Sequence, residues 1–381
     1  MNVPFFKTKL SETAIQAVTD VLTSGWLTSG EQSTLFECEF EKFIGGNVKA
    51  LTVNSATAGL HLVLEAMGVG PDDEVIVPTL TFTASAEVVR YLGAKVVLVD
   101  IDPETLCGDF AAIEAAITPR TKAVVFVHFG GYPVDITPLI STCKRSGLRL
   151  VEDAAHAIPS RIGNKHIGTM GSDAAVFSFY ANKPMTTGEG GMIITTIQKV
   201  ANRCQLMRTH GIDRDTFARF TGKSHQWHYD VVEAGYKYNL TDIAAAIGRT
   251  QLQEVDKLRI GRKRNAEWYD TALEGLPLTK PPRPSEKSDH SWHLYPIQLH
   301  GGSKTREKVI RLFAEREIGY SVHYTPLHRL TYWAKLARIP QDGLPFADTY
   351  FDGCLTLPIF PTMNKNQNDL VVATLKEALL V

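Results

Sequence analysis

The chain has 381 residues, 44% of them apolar and 21% charged, with 40 Lys+Arg against 41 Asp+Glu for a formal net charge of −1. That length allows two or three domains and a large core, while the balanced charge leaves no electrostatic footprint for nucleic acid or an anionic membrane. No apolar run approaches the roughly 18–20 residues that span a bilayer, and the N-terminal MNVPFFKTKLSETAIQ lacks a signal peptide's apolar region.

Five cysteines (Cys38, Cys107, Cys143, Cys204 and Cys354) are scattered without CxxC spacing. They read as reduced structural thiols, and a cytoplasmic location is expected. The histidines form no HExxH and no Cys/His cluster of ligand spacing, so no metal is expected.

From about residue 49 to 196 strands alternate with helices. KALTVN (49–54) precedes an amphipathic helix beginning SATAG, and EVIVPTL (74–80) precedes FTASAEVVRYLG. AKVVLVDID (94–102) follows, then KAVVFVHF (122–129), the helix DITPLISTCKRSG and RLVEDAAHA (149–157). These short β-branched runs suit strands buried on both faces, so the fold class is α/β with a mostly parallel sheet. Ligand sites in such sheets lie beyond the carboxyl ends of the strands, where Asn54, Thr79 and Asp153 fall.

Past residue 197 the texture changes. A helix through QKVANRCQLMRTHG is followed by a polar, aromatic excursion (212–234) without a clear period. NLTDIAAAIGRTQLQEVDKLR (239–259) reads as a helix with Asn239 or Thr241 as N-cap. A proline-rich segment (276–284) looks like a connection between subdomains. HSWHLYPIQLH and GYSVHYT read as strands, with helices at KTREKVIRLFAEREI and the C-terminus. The expected division is a large domain over residues 1–255 and a smaller α+β domain over 256–381.

The chemistry gathers around Lys183, in FSFYANKPMTTGEGGM (177–192), between an apolar run and a glycine-rich turn. Alone, such a lysine is more often a solvated surface residue. Paired with a carboxylate at another strand end, Asp153, it matches what a pyridoxal phosphate enzyme requires: an amine to hold the cofactor and an acid to keep the pyridine nitrogen protonated. SATAG offers free N–H groups at a helix start, with Thr57 and the backbone of Ala58 as candidate phosphate ligands. The same residues also suit an ordinary N-cap. Phe82 at the end of the next strand could cover a flat heterocycle or belong to the core. Ser178 could donate a further hydroxyl to a phosphate. Neither GxGxxG nor GxxxxGK[ST] follows the first strand, which sets aside the common nucleotide motifs.

Taken in order, SATAG, PTLTF, EDAAHA, FSFYANK, TTGEGGM, MRTHG and GYKYNLTDIAAAIG resemble the DegT/DnrJ/EryC1/StrS family of pyridoxal phosphate-dependent sugar aminotransferases, in particular the branch that makes UDP-4-amino-4-deoxy-L-arabinose. The resemblance runs from GWLTSG (25–30) to LPIFP (357–361). It implies a fold-type I, aspartate aminotransferase-like structure with a mostly parallel seven-stranded sheet, and a homodimer with shared active sites. It implies pyridoxal 5′-phosphate (and its pyridoxamine form) as cofactor, with glutamate and a nucleotide-linked keto-sugar as substrates and 2-oxoglutarate as coproduct.

By position, the resemblance makes Lys183 the residue that joins the cofactor and Asp153 the partner of the ring nitrogen. Thr57, Ala58 and Ser178 become phosphate ligands, and Asn239 reaches the phosphate of the neighbouring subunit. His156 stands beside the cofactor where many members carry glutamine, and Phe82 stacks on the ring in a place that is tryptophan in the arabinose enzyme. His323, Trp26 and Tyr236 fall near the substrate, with Lys237, Tyr238 and His328 as further neighbours. Arg208 is assigned a structural role. Some relatives are dehydratases that carry histidine in place of the lysine; Lys183 favours transamination over that alternative, or over an epimerase or a non-catalytic cofactor-binding regulator. Phe82 and the 212–234 stretch bear on which sugar is used.

Overall fold

A computed structural model of the chain describes residues 2–213 and 228–380. Its large sheet is built from β1 (Lys49–Val53), β2 (Glu74–Pro78), β3 (Lys95–Val99), β4 (Thr121–Val127) and β5 (Arg149–Asp153). Two short strands, β6 (Arg161–Ile162) and β7 (Lys165–His166), form a separate ribbon before β8 (Ala174–Ser178) and β9 (Gly191–Thr195) return to it. The order is β1-β9-β8-β5-β4-β2-β3, parallel from β8 to β3 and antiparallel only where β9 meets β1 and β8.

Alternation along the strands divides the core into two layers. Val75, Val77, Val125, Val151 and Val176 pack on the face covered by helix α3 (Ala56–Ala66), which follows α1 (Glu12–Ser24) and α2 (Glu31–Ile44) in the chain. Ile76, Val124, Phe126 and Leu150 pack on the opposite face. Both faces are covered, which is why the strands read as continuous apolar runs. The same alternation sends neighbouring acids apart: Asp153 shares the face of Val151, Glu152 that of Leu150.

Helix α3 sits hard against the sheet. A Cβ at Gly59 would lie 2.6 Å from Val176 Cγ1, and one at Gly191 would lie 2.8 Å from Ala56 N. Only glycine permits this approach, and it brings the helix N-terminus to the carboxyl ends of β5 and β8.

The helix expected over 239–259 runs over Asp242–Ala272, capped by Thr241, whose side chain accepts from Ala244 N. It continues past 259 because its packing partner changes along its length: Ala245, Leu252 and Val255 join the core of the large sheet, whereas Ala266, Tyr269 and Leu273 join the C-terminal core. The C-terminal part holds a three-stranded sheet of β10 (Leu278–Thr279), β12 (Tyr295–Leu299) and β13 (Cys354–Leu357), while β11 (Ser288–Asp289) pairs with β6. Two expected strands are corrected. HSWHLYPIQLH is extended into a ladder only from Tyr295, and GYSVHYT makes a single bridge, Ser321 to Thr356, with its side chains divided between two cores, Tyr320 on the C-terminal one and Tyr324 on Phe129 and His156.

Asp242 links two helices. Its carboxylate accepts from the N–H groups of Gly30 (2.8 Å), Gln32 (3.1 Å) and Ser33 (3.0 Å), and from the Ser33 hydroxyl (2.8 Å). Helix α2 has no cap from its own N-cap residue, Gly30, so this buried carboxylate from a distant helix supplies it. Asp242→Ala should therefore lower unfolding free energy by about 2–4 kcal/mol, since several buried donors lose a charged acceptor at once; urea titration of wild type and variant measures the difference.

Candidate active site

A cavity of about 480 Å³ opens at the carboxyl ends of the strands, where α3, the β8–β9 connection and the 320s segment meet. Thr57, Phe82, Asp153, His156, Ser178, Lys183 and His323 all line it, so most of the residues singled out in the sequence come together.

Asp153 is buried at its floor. Ser85 Oγ donates to Asp153 Oδ2 at 2.7 Å and Ala155 N donates to Oδ1 at 3.1 Å. Ser85 spends its single proton there, so Thr81, 2.8 Å away, donates to Ser85 in turn. Burial pushes the Asp153 carboxyl above the usual range, opposed by the Ser85 and Ala155 hydrogen bonds and by the positive field of Lys183. Among the described residues this carboxylate has no ion pair within 4 Å.

Lys183 sits at the cavity wall in a turn closed by its own N–H bonding to Tyr180 O at 2.9 Å. Burial pushes its amine down to about 8, with Asp153 pulling the other way. His323 is held by Thr356, Nδ1 to Oγ1 at 2.9 Å, and burial, with Lys183 beside it, lowers it to about 3. His156 is likewise driven well below its ordinary value by burial, and further by Lys183 and His323. Both imidazoles are therefore neutral neighbours of the amine.

At the helix end, Ser55 Oγ accepts from Ala58 N at 3.1 Å, so the Ala58 N–H is already bonded and does not face the cavity. Ala56 and Thr57 line the cavity instead, beside Ser178. Phe82 is 57% exposed at the rim, its ring 6.1 Å from that of Tyr324.

Several expected residues lie elsewhere. Asn239 lines a separate cleft with Ser29, Arg208 and Lys237; its Nδ2 donates to Ser29 Oγ at 2.6 Å, and Lys237 Nζ donates to its Oδ1. Trp26 Nε1 donates to Ser29 O at 3.0 Å. Tyr236 stacks on Tyr238 at 5.0 Å and packs on His61 at 4.7 Å. His328 bridges Thr79 and Asp348 at 2.8 and 3.0 Å. Arg208 ties α2 to β1 through Glu37 Oε1 (2.6 Å) and Thr52 O (2.8 Å). Of the 212–234 stretch, positions 214–227 lie outside the described residues.

Two residues of the site, Ser85 behind Asp153 and Tyr324 on the cavity wall, escaped the sequence reading. Ser85 lies inside PTLTFTASA, but its meaning needs the adjacency of the helix after β2 to the end of β5. Tyr324 stands next to His323, and its aromatic character alone could have been core.

Comparison with known proteins agrees with this geometry. The model of the DegT/DnrJ/EryC1/StrS aminotransferase family matches residues 8–376. The chain belongs to that family. It is 38% identical over 378 residues to the spore coat polysaccharide biosynthesis protein SpsC of Bacillus subtilis, covering 98% of this chain and 96% of that protein. Spr1654 of Streptococcus pneumoniae, solved in both PLP and PMP forms, superposes with a TM-score of 0.91 at 31% identity, over 99% of this chain and 98% of the other. PseC of Helicobacter pylori, an aminotransferase of pseudoaminic acid biosynthesis, gives 0.90 at 28% identity over 100% of each chain.

This family member is a pyridoxal phosphate-dependent aminotransferase of fold type I, and its cavity fits the cofactor. A buried carboxylate with no ion pair among the described residues, an amine shifted toward neutrality and a helix N-terminus all open on one space.

The Lys183 amine sets a pH dependence. Below about 8 it is protonated and not nucleophilic; above it the free amine predominates. The rate at which cofactor-free protein takes up pyridoxal phosphate covalently should rise as pH increases through about 8 and then level off, as followed by absorbance in a pH series. A midpoint near the ordinary lysine value of 10.5 would contradict the burial.

Proposed function

We propose that this enzyme moves the amino group of glutamate onto the 4-keto group of a nucleotide-linked sugar, with UDP as the carrier, for polysaccharide or glycoconjugate biosynthesis in the cytoplasm. The observation that carries the reading is the buried amine of Lys183 on one cavity with the Asp153 carboxylate, which has no ion pair among the described residues. SpsC, named for spore coat polysaccharide biosynthesis, and PseC, an aminotransferase of pseudoaminic acid biosynthesis, support the substrate class.

When bound, pyridoxal phosphate supplies an aldehyde for amine exchange and a ring that takes up the electrons left as a Cα–H bond breaks. Lys183 would hold the cofactor, and its Nζ, once freed, would carry the proton released from the amino donor's Cα across the transferred nitrogen. Its depressed affinity for protons suits both tasks near neutral pH. Asp153 would balance a cationic ring nitrogen, and Ser85 with Ala155 aims its two oxygens. The N-terminus of α3, with Thr57 and Ser178, would receive the phosphate. Phe82 would cover one face of the ring, with His156 beside it.

Asn239 faces a cleft apart from this cavity, beside Lys237 and Ser29. For it to reach a phosphate, that phosphate must belong to another copy, which supports a homodimer with shared sites. Trp26 and Tyr236, which also lie outside this cavity, would shape the neighbour's sugar pocket, while His323 lines this one.

Mixing the purified holoenzyme with L-glutamate should bleach the visible cofactor band and release 2-oxoglutarate. Adding UDP-linked 4-keto-sugars, pentose and 6-deoxyhexose in parallel, should restore the band with the true substrate. Lys183→Ala should lose turnover by at least about 10³-fold, since one group serves as attachment point, base and acid. A variant that retained wild-type turnover, or a wild-type band indifferent to every amino acid, would refute the assignment.

A further inference from the structure

Two contacts determine how His156 is protonated. The backbone N–H of Gly130, which can only donate, points at His156 Nδ1 at 3.2 Å. Nδ1 is therefore the unprotonated nitrogen, and a neutral imidazole must carry its hydrogen on Nε2. Burial and the nearby Lys183 favour the neutral ring. His156 Nε2 lies 3.2 Å from Tyr324 Oη, so the contact runs in one direction: Nε2–H donates and the phenol oxygen accepts.

The hydroxyl proton of Tyr324 is then left over. Among the described residues no other group receives it, and Tyr324 lines the cavity. Its ring is wedged among Phe129 (6.2 Å), His323 (4.8 Å) and Phe82 (6.1 Å), which limits where the hydroxyl can swing. Burial and the negative field of Asp153 keep the phenol neutral.

The geometry points to Tyr324 as a substrate-binding residue: a hydrogen-bond donor of fixed direction that holds a carbonyl or carboxylate oxygen of the substrate in the cavity, oriented through His156 by the Gly130 amide. The assignment rests on the cavity being the aminotransferase site. The oxygen has two sources, the carboxylate of the amino donor or the sugar ligand, and the two half-reactions separate them.

Tyr324→Phe deletes the hydroxyl and little else. Rapid mixing of the holoenzyme with L-glutamate reads the first half; mixing the pyridoxamine form with a UDP-linked 4-keto-6-deoxyhexose or pentose reads the second. The expected result is a loss of about 10- to 100-fold in kcat/KM in at least one half, with cofactor affinity and spectrum unchanged. The half that falls names the source of the oxygen. Unchanged kinetics in both halves, or a change confined to cofactor affinity and spectrum, would overturn the proposal.

A second measurement does not depend on turnover. Nitrogen-15 NMR of histidine-labelled holoenzyme, with the His156 signal assigned from a His156→Asn sample, should show an acceptor-type Nδ1 and a protonated Nε2 at neutral pH. A protonated Nδ1 would reverse the chain and sink the inference. If wild type ignores glutamate while His156 shows the stated tautomer, the choice of amino donor fails and the orientation of Tyr324 stands.

Discussion

Strand β5 brings two adjacent carboxylates into the interior, and the fold answers each differently. Burying a charge costs several kcal/mol unless partners replace its water. Glu152 is fully answered: His128 Nε2 lies 2.8 Å away, Ser172 Oγ donates to its Oε1, and Gly168 N donates to Oε2 at 3.3 Å. Asp153 receives two neutral donors and no cation among the described residues. The strand period alone separates them, one to each face of the sheet. The incomplete acid is the one that opens on the cavity, where a positively charged ring nitrogen would complete it.

The electrostatics around Lys183 follow from the same burial. Desolvation lowers the amine and the imidazoles of His156 and His323 together, and each cation would disfavour the others. The cavity therefore favours one mobile proton carrier, the lysine, over several competing ones. The histidines become hydrogen-bonding fixtures, His323 against Thr356 and His156 between Gly130 and Tyr324.

Parts far apart in sequence meet to hold this arrangement. Near the N-terminus, Val3 bridges to Ile318, Phe5 stacks on His323 at 5.7 Å, and Thr8 Oγ1 donates to Ala181 O at 2.8 Å, two residues before Lys183. The long helix Asp242–Ala272 serves both cores and also caps α2 through Asp242. Arg262, buried on that helix, donates to the carbonyls of Trp292, His293 and Ile359 and, at 3.5 Å, to Asn182 O, which ties the C-terminal part to the lysine loop. The lysine loop is thus buttressed by both parts of the chain.

Much of this was legible in the residues. Continuous β-branched runs imply a sheet buried on both faces, and a lysine after one strand with an aspartate ending another implies the chemistry. The sequence does not contain the adjacency of strands. It could not show that Ser85 aims Asp153, that Ala58 spends its N–H on Ser55, or that the 319–325 run forms one bridge in place of a strand, because each depends on what packs beside it. The helix written in 239–259 outran its expected end for the same reason, since a second core takes over its apolar face. The sequence by itself determined which groups are present and, through period and propensity, which face each presents. Tertiary structure decided which are desolvated and which donor meets which acceptor, because burial and hydrogen-bond direction are properties of neighbours and not of the residue.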